Sequence, residues 1–202
     1  MLEILSPYRR ATPEDARAMA ELVNMAGEGL PLYLWSRQTR PGGSPWETGR
    51  ERAMRDSGAF SYRNTILREQ DGEVVACLIG YPLQHLTGPP DYSGLPPLVV
   101  PMQELEDMVP GTWYVNVLAT YPEHRGRGYG RELLALAETI AQDRGCRGMS
   151  IIVMDSNEGA RRLYERQGYL DRARRPMVKE DWQHPGSELV LLVKELEVRS
   201  KE

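Results

Sequence analysis

The feature that most constrains this chain is an apolar segment that runs into a glycine-rich turn. Residues 113–120 have the composition of a strand, and residues 129–144 have the apolar spacing of a helix. Between them, Gly126, Gly128 and Gly130 lack a Cβ atom, so their backbone N–H groups can approach a ligand closely. The first N–H groups of a helix have no partners inside it, and the helix dipole attracts anions to them. The segment therefore predicts an anion site suited to a pyrophosphate, with a purely structural turn as the alternative.

The spacing of these glycines differs from that of two common nucleotide sites. A P-loop places Lys-Ser or Lys-Thr directly after its last glycine, whereas Arg131 and Glu132 follow Gly130. The GxGxxG pattern of dinucleotide-binding folds does not fit either. Both nucleotide-binding classes are therefore disfavoured.

The rest of the sequence indicates a mixed chain of the α/β class (α+β mixed). Asp71-Gly72 between two apolar segments is a strong hairpin signal. Residues 27–45 are rich in glycine, proline and aromatic residues, and we interpret them as a loop with a short helical turn. The predicted strands cover 5–11, 61–69, 74–81, 113–120, 149–154 and 189–193, and the predicted helices cover 12–25, 46–55, 129–144 and 158–167.

Charge and composition disfavour several classes of protein. The net charge of −4, without a basic tail, argues against nucleic-acid binding. No window of about 18 apolar residues predicts a membrane span, and the first residues lack the apolar stretch of a signal peptide. Cys77 and Cys146 belong to no metal-binding spacing, so no metal is expected, and free thiols are typical of a reducing compartment. We therefore expect a soluble cytoplasmic protein.

Two separate motifs resemble those of the GCN5-related N-acetyltransferases (GNAT). The segment Arg125-Gly-Arg-Gly-Tyr-Gly130 is similar to their R/Q-x-x-G-x-G/A signature, and the lead from Ala119 to Arg125 is similar to their x-x-x-P-x-x-R. Downstream, the segment from Asn157 to Tyr169 resembles N-x-x-A-x-x-L-Y-x-x-x-G-F/Y. The resemblance is strong over 113–169, and residues 8–15 are similar to the family's first strand and helix start.

The resemblance implies both a fold and a reaction. The fold is a single acyl-CoA N-acyltransferase domain over 1–202, with a central, mostly antiparallel sheet of about six to seven strands flanked by helices. The resemblance does not cover 27–60 or a proline-rich insertion at about 82–111. The reaction moves an acetyl group from acetyl-CoA, a co-substrate, to a primary amine of a small-molecule or peptide acceptor, without a metal.

The resemblance also implies roles for individual residues. Tyr164 would lie near the sulfur of acetyl-CoA and protonate the leaving thiolate, while a backbone N–H near Ala119 would polarise the thioester carbonyl. Asn157 would contact the pantetheine arm or its thioester end. The other residues implied to bind coenzyme A are Leu118, Ala119 and Thr120 along the pantetheine arm, and Arg125, Gly126, Arg127, Gly128, Tyr129, Gly130 and Arg131 around the pyrophosphate.

An excess of arginine in the second half supports a phosphate-rich ligand. Between Arg125 and Arg175 there are 11 arginines and 7 acids, within a chain whose net charge is −4. A locally basic surface suits the phosphates of coenzyme A. For Arg161, Arg162 and Arg166, a solvated helix face is the preferred interpretation.

The general base is the least evident part of the site. An amine must lose a proton before it attacks a thioester. Family members often place a carboxylate on the strand at 113–120, where this chain offers only Asn116, which can orient a water molecule. Glu28, Glu104 and Asp107 are remote candidates, and a solvated surface acid is the preferred interpretation of each.

The insertion at 82–111 contains seven prolines, and a helical turn is predicted at 103–108. An unstructured connection of about 30 residues is uncommon in a compact domain unless it is functional. We interpret the insertion as a specificity lid that favours a cationic amine with a hydrophobic group, and a homodimer contact or a plain packed loop is the alternative. The segment mixes apolar and acidic residues, namely Leu95, Leu98, Val99, Val100, Met102, Glu104, Glu106 and Asp107.

Two rival functions belong to other classes. A catalytically silent acyl-CoA-binding sensor or scaffold would use the same turn without chemistry, and thiol release from acetyl-CoA would distinguish it from an enzyme. A nucleotide-binding protein would hold ATP on the glycine turn, and competition between ATP and coenzyme A would identify it.

Overall fold

The computed structural model describes residues 3–197, which group by their backbone contacts into two compact units. The first unit contains the described residues up to Gly80 together with Asn116–Leu134. The second contains Tyr81–Val115 and the described residues from Ala135. The assignment of one domain to the whole chain stays a prediction.

The described residues contain seven strands in one sheet, and most neighbouring strands are antiparallel. In chain order they are β1 (Tyr8–Arg10), β2 (Thr65–Gln70), β3 (Glu73–Pro82), β4 (Thr112–Thr120), β5 (Gly148–Met154), β6 (Leu170–Pro176) and β7 (Glu188–Glu195). The strand order is β1-β2-β3-β4-β5-β7-β6, with β4 parallel to β5 and the pairs β1–β2, β2–β3, β5–β7 and β6–β7 antiparallel. The predicted mixed fold with a mostly antiparallel sheet is confirmed.

Two helices lie where the sequence predicts only a short helical turn within a loop or insertion. The helices of the described residues are α1 (Ala16–Ala26), α2 (Leu30–Ser36), α3 (Pro45–Ala53), α4 (Val100–Glu106), α5 (Tyr129–Asp143) and α6 (Glu158–Arg166). Helix α2 occupies the loop predicted at 27–45, and α4 begins earlier than the turn predicted at 103–108. Both helices carry a proline in their first turn, where it removes no internal hydrogen bond. Proline breaks a helix in its interior, but in α2 and α4 it lies in the first turn and is compatible with the helix.

The first unit is built on the apolar face of α1. Met19 and Leu22 on this helix are fully buried, as are Leu67 on β2 and Ile79 on β3. The hairpin between β2 and β3 turns at Asp71-Gly72, whose φ values of 54° and 82° are both positive. A type I′ turn needs that geometry, so the predicted hairpin is confirmed.

An aromatic cluster closes the first unit next to α2 and α3. The ring of Trp35 stacks on Phe60 at 5.8 Å and meets Trp46 edge-on at 6.2 Å. Gly49 lies against the same ring, and a Cβ atom at that position would come within 2.5 Å of it. This close approach explains a glycine inside a helix, where it otherwise destabilises.

The insertion at 82–111 is a packed part of the second unit. Leu98, Leu105 and Val109 are buried. Its ends are joined at Leu83, whose N–H donates to the carbonyl of Thr112 at 2.9 Å and whose carbonyl accepts from the N–H of Gly111 at 2.8 Å. The second part of the insertion thus contributes to the unit's core, whereas most residues from 84 to 97 are exposed. The prediction that it covers an acceptor stays a prediction.

Strand β6 is the element that the sequence analysis misses. Its residues, LDRARRP, are mostly exposed, and it forms the edge of the sheet beside β7. Charged residues are typical of edge strands because they discourage pairing with other chains. Without a buried face, the segment lacks the apolar alternation by which strands are predicted.

Residues 3–197 contain neither a membrane-spanning helix nor a metal-binding group of side chains. In residues 3–197, no helix combines the length and the apolar character needed to cross a membrane. Nor do His, Cys, Asp or Glu side chains in that range form a group of three or more that could hold a metal ion.

Candidate functional site

In the first unit, β4 leads into an open turn that reverses direction at two glycines. Gly126 and Gly128 have φ values of 75° and 86°, in the left-handed region that favours glycine. A Cβ atom at either position would meet no heavy atom within 4 Å. Helix α5 begins directly afterwards at Tyr129. Glycine is therefore required here by the backbone conformation, and the space beside the turn is open.

Three arginines surround this turn with positive charge. Arg125, Arg127 and Arg131 are all exposed. Arg125 donates to the carbonyl of Thr120 at 3.2 Å, and Arg127 donates to the Gln70 side chain at 3.4 Å. Among the ion pairs of the described residues, none involves these three arginines. Their charge therefore adds to that of the helix N-terminus without a neighbouring carboxylate to cancel it.

A half-buried network holds the first turn of α5 in place. The guanidinium of Arg68 lies 3.4 Å from the ring centroid of Tyr129, which is buried, and forms an ion pair with Glu132 at 3.4 Å. The hydroxyl of Tyr8 donates to Glu132 at 2.8 Å, and the hydroxyl of Tyr129 donates to Gln70. Strands β1 and β2 thus fix the orientation of the helix that follows the turn.

The strand before the turn alternates between buried and half-buried side chains. Val117 and Ala119 are buried, while Leu118 and Thr120 are half-buried. The register of the parallel ladder between β4 and β5 runs from Thr112 to Val115 on β4. The residues expected to contact pantetheine therefore lie beyond the end of that ladder.

In the second unit, Asn157 has a clear role at the start of α6. Its side-chain oxygen accepts a hydrogen bond from the N–H of Ala160 at 3.1 Å, which caps the helix. At the other end, Gly168 has a φ of 87°, as expected for a residue that closes a helix. The motif that contains both residues is thus explained locally as a capped helix. Its expected contact with coenzyme A stays a prediction.

Tyr164 lies on the same helix and faces the interior of the unit. The residue is only 5% exposed, and its ring is 5.9 Å from that of Tyr169. Burial raises the pKa of its hydroxyl above the ordinary value of 10.0. The hydroxyl therefore keeps its proton at neutral pH, as a general acid must before it acts.

Tyr164 belongs to a cluster of three tyrosines and one glutamate within the second unit. We name Tyr81, Glu106, Tyr114 and Tyr164 the Tyr–Glu cluster. The rings of Tyr81 and Tyr114 meet edge-on at 5.8 Å. The negative charge of Glu106 acts on both hydroxyls, and Tyr164 in turn acts on Tyr114. The cluster thus joins residues from β3, α4, β4 and α6.

Glu106 has an unusual environment for a carboxyl group. The residue is half-buried on α4. Burial raises its pKa to about 7 from the ordinary 4.5, and the charge of Asp107 adds to this, while a hydrogen-bonding interaction with the Tyr114 hydroxyl opposes it. A carboxyl group with such a pKa can take up and release a proton near neutrality. The sequence shows Glu106 only as one of four acids in the insertion, without a signal that separates it from the others.

The acids that the sequence offers as remote bases are engaged elsewhere. Glu104 forms an ion pair with Arg175 at 2.7 Å. Asp107 accepts hydrogen bonds from the Tyr92 hydroxyl at 2.8 Å and from Gln103 at 2.9 Å. Glu28 lies in the first unit, in a left-handed backbone conformation with a φ of 51°. The contacts of Glu104 and Asp107 support the interpretation of both as structural surface acids.

Comparison with known proteins places the chain among acetyltransferases. The model of the acetyltransferase (GNAT) family matches residues 31–169. An uncharacterized N-acetyltransferase of Bacillus subtilis, YycN, is 39% identical over 58 residues, which are 29% of this chain and 37% of that protein. The thialysine N-epsilon-acetyltransferase of Bos taurus is 33% identical over 58 residues, or 29% of this chain and 34% of that protein. The matched region thus spans less than half the length of either relative.

Solved structures extend the likeness to nearly the whole chain. The crystal structure of an acetyltransferase has a TM-score of 0.64 and 20% identity, and the match covers 94% of this chain and 99% of that one. An N-acetyltransferase from Staphylococcus aureus Mu50 has a TM-score of 0.60 and 18% identity, covering 92% of this chain and 98% of the other. At these identities the likeness concerns the fold alone.

Proposed function

Because the chain belongs to the acetyltransferase (GNAT) family, we propose that it transfers an acetyl group from acetyl-CoA to a primary amine. The acceptor is a small molecule or a peptide. The observation that carries the proposal is the open, arginine-flanked turn at 125–131, which leads into a helix N-terminus. Such a site is suited to the pyrophosphate of a coenzyme.

The turn at 125–131 binds the phosphates of coenzyme A. The pyrophosphate oxygens accept hydrogen bonds from backbone N–H groups of the turn, because no Cβ atom stands in the way at Gly126 or Gly128. Arg125, Arg127 and Arg131 offset the negative charge of the phosphates. Within residues 3–197, no carboxylate forms an ion pair with these arginines, which supports this assignment.

The pantetheine arm follows the last part of β4. It is an extended chain with two amide groups, which can pair with the backbone of Leu118, Ala119 and Thr120 as another strand would. These residues lie beyond the parallel ladder, which supports the assignment. Asn157 contacts the arm or its thioester end, in addition to capping α6.

The chemistry exchanges one bond to the acetyl carbon for another. The neutral amine attacks the thioester carbonyl, and a backbone N–H near Ala119 stabilises the oxyanion that forms. The C–S bond then breaks, its electrons go to sulfur, and the nitrogen loses a proton to water as the amide forms. Tyr164 donates its phenolic proton to the thiolate. The high pKa of its buried hydroxyl supports this role, because it keeps the proton in place until a thiolate appears.

The experiment that tests the proposal measures binding and thiol release together. Calorimetry should show acetyl-CoA binding that ATP does not displace, and a panel of primary amines should stimulate the release of coenzyme A thiol. If acetyl-CoA binds but no amine causes release, the chain is a silent acyl-CoA-binding module. If ATP displaces acetyl-CoA at equal concentration, the turn is a nucleotide site instead.

A further inference from the structure

The proposed function leaves the proton of the acceptor amine unassigned. A primary amine is protonated at neutral pH, since its pKa is close to the 10.4 that is typical of a lysine side chain. Its ammonium group must therefore bind first and then lose a proton. A suitable site offers negative charge, aromatic faces that attract a cation, and a group that can hold a proton.

The Tyr–Glu cluster combines these properties in one place. Glu106 supplies a carboxylate, and the half-buried ring of Tyr81 supplies aromatic surface, with the buried ring of Tyr114 edge-on behind it at a centroid distance of 5.8 Å. The half-buried position of Glu106 leaves part of it accessible. No arginine or lysine is among the groups that act on it, so its charge is not already neutralised by a cation. This separates it from Glu104, which Arg175 neutralises.

We propose that Glu106 binds the ammonium group of the acceptor beside Tyr81 and Tyr114, and then accepts its proton as the general base. The inference rests on the proposed function. It also defines the acceptor class, because a site with one carboxylate among aromatic rings selects a cationic amine over an anionic one. Ammonium groups are attracted electrostatically to aromatic faces, and the attraction is stronger when they are desolvated.

In this reaction Glu106 accepts a proton from the amine, and Tyr164 donates one to the sulfur. The ammonium group gives one proton to the Glu106 carboxylate, which leaves a neutral amine and a neutral carboxylic acid. The nitrogen lone pair forms the new C–N bond, the C–S bond breaks, and Tyr164 protonates the sulfur. The nitrogen then loses its second proton to water, which leaves a neutral amide. Afterwards Glu106 releases its proton to water and the Tyr164 phenolate takes one from water, so the enzyme returns to its starting state.

The groups that set the protonation of Glu106 come from several elements. Asp107 on the same helix adds negative charge and favours the protonated form, while the Tyr114 hydroxyl on β4 favours the carboxylate. Strands β6 and β7 pack against α4, and most of their charged groups form ion pairs. These pairs are Arg175 with Glu104, Arg174 with Asp171 and Glu188, and Lys194 with Glu138 of α5. Arg172 and Glu195 are the charged residues of these two strands that form no ion pair with another described residue.

The test compares Glu106→Gln with the matched variant Glu104→Gln from the same helix. Thiol release is measured from pH 5.5 to pH 9 with phenethylamine, spermidine and glutamate as acceptors. In the wild type, kcat/KM rises with pH through an inflection near 7, because the carboxylate is the active form. Glu106→Gln should lose this inflection and about 100-fold in kcat, with unchanged acetyl-CoA affinity by calorimetry. Glu104→Gln should keep both the inflection and the rate.

Two further variants distinguish a base from a structural residue. Asp107→Asn removes a charge that raises the pKa of Glu106, so the inflection should move to lower pH. Tyr114→Phe removes a hydroxyl that lowers it, so the inflection should move to higher pH. A residue that only supports packing would change the rate without moving the inflection in opposite directions.

The outcomes separate the inference from the function on which it rests. If Glu106→Gln keeps the inflection near pH 7 while the wild type is active, Glu106 is not the base and the inference fails alone. If glutamate is as good an acceptor as phenethylamine and spermidine, the selection for a cation is wrong. If the wild type releases no thiol with any of these amines, the proposed function fails and the inference fails with it.

Discussion

The glycine turn of the first unit and the Tyr–Glu cluster of the second differ in how they are encoded. The turn is a local structure, in which the residues from Arg125 to Arg131 are continuous in the chain and depend on backbone conformation. The cluster joins four side chains from four elements, and Glu106 is distinguished from neighbouring acids only by its contacts. A binding site for a constant ligand can thus be local, whereas a site for the variable acceptor depends on tertiary packing.

The largest expected effect is at the turn. Gly128→Val forces a branched residue into a φ of 86° and fills space that is open in the structure. Acetyl-CoA affinity measured by calorimetry should fall by at least about 100-fold, or about 2.7 kcal/mol. Gly58→Val is the matched control, because Gly58 has a φ of 92° and equally open surroundings in the same unit. Equal losses in both variants would mean that backbone strain, and not a phosphate site, is responsible.

The next effect concerns the second unit and leaves binding intact. Tyr164→Phe removes only a hydroxyl, so the packing of its ring against Tyr169 should survive. Turnover should fall by about 100-fold because the thiolate loses its proton donor, while acetyl-CoA affinity stays near that of the wild type. Steady-state kinetics and calorimetry on the same preparation check this. A drop in acetyl-CoA affinity with normal kcat would mean that Tyr164 contributes to binding and not to the chemical step.

The two units also differ in how much of their structure can be predicted from the sequence. The turn, the α5 helix and the Asp71-Gly72 hairpin follow from residues that are neighbours in the chain, so their patterns are sufficient. Strand β6 is missed because an edge strand needs no apolar face. Helix α2 is predicted only as a short turn within a loop, because glycine and proline mark the start of a helix as well as a loop.

The candidate site follows the same division. The residues of the turn and the capped helix α6 are recognisable as motifs, since each motif depends on spacing along one element. Glu106 is not recognisable, because Glu104, Glu106 and Asp107 look alike in the sequence. Only packing shows that Arg175 neutralises Glu104 and that Tyr92 holds Asp107.

A smaller effect should sharpen the electrostatic side of the turn. Arg127→Ala removes one exposed positive charge, and acetyl-CoA affinity should fall by roughly 3- to 10-fold at low salt. The loss should shrink at high ionic strength because exposed charges are screened. Arg162→Ala is the control, since Arg162 pairs with Glu158 at 3.0 Å on the surface of α6. An equal loss in the control, or a loss independent of salt, would contradict a local phosphate contact.

The smallest effect is on the stability of the fold. The pKa of Glu106 is about 7 when folded against an ordinary 4.5, so the bound proton stabilises the folded state below pH 4.5. That contribution is lost as the pH rises to 7, and above it the half-buried carboxylate destabilises the fold. Glu106→Gln should therefore raise Tm by roughly 2–6 °C at pH 8 and by less at pH 5. Thermal unfolding at the two pH values checks this, and a gain that does not depend on pH would contradict the assigned pKa.

We propose that this chain moves an acetyl group from acetyl-CoA to the nitrogen of an amine. Mass spectrometry of the acceptor, combined with a thiol assay in the same reaction, tests it most directly. We predict one N-acetylated amine for each coenzyme A released, with a cationic amine as acceptor and product formation reduced in Tyr164→Phe. Release of coenzyme A without an acetylated amine, or stable binding of acetyl-CoA without release, would contradict the claim.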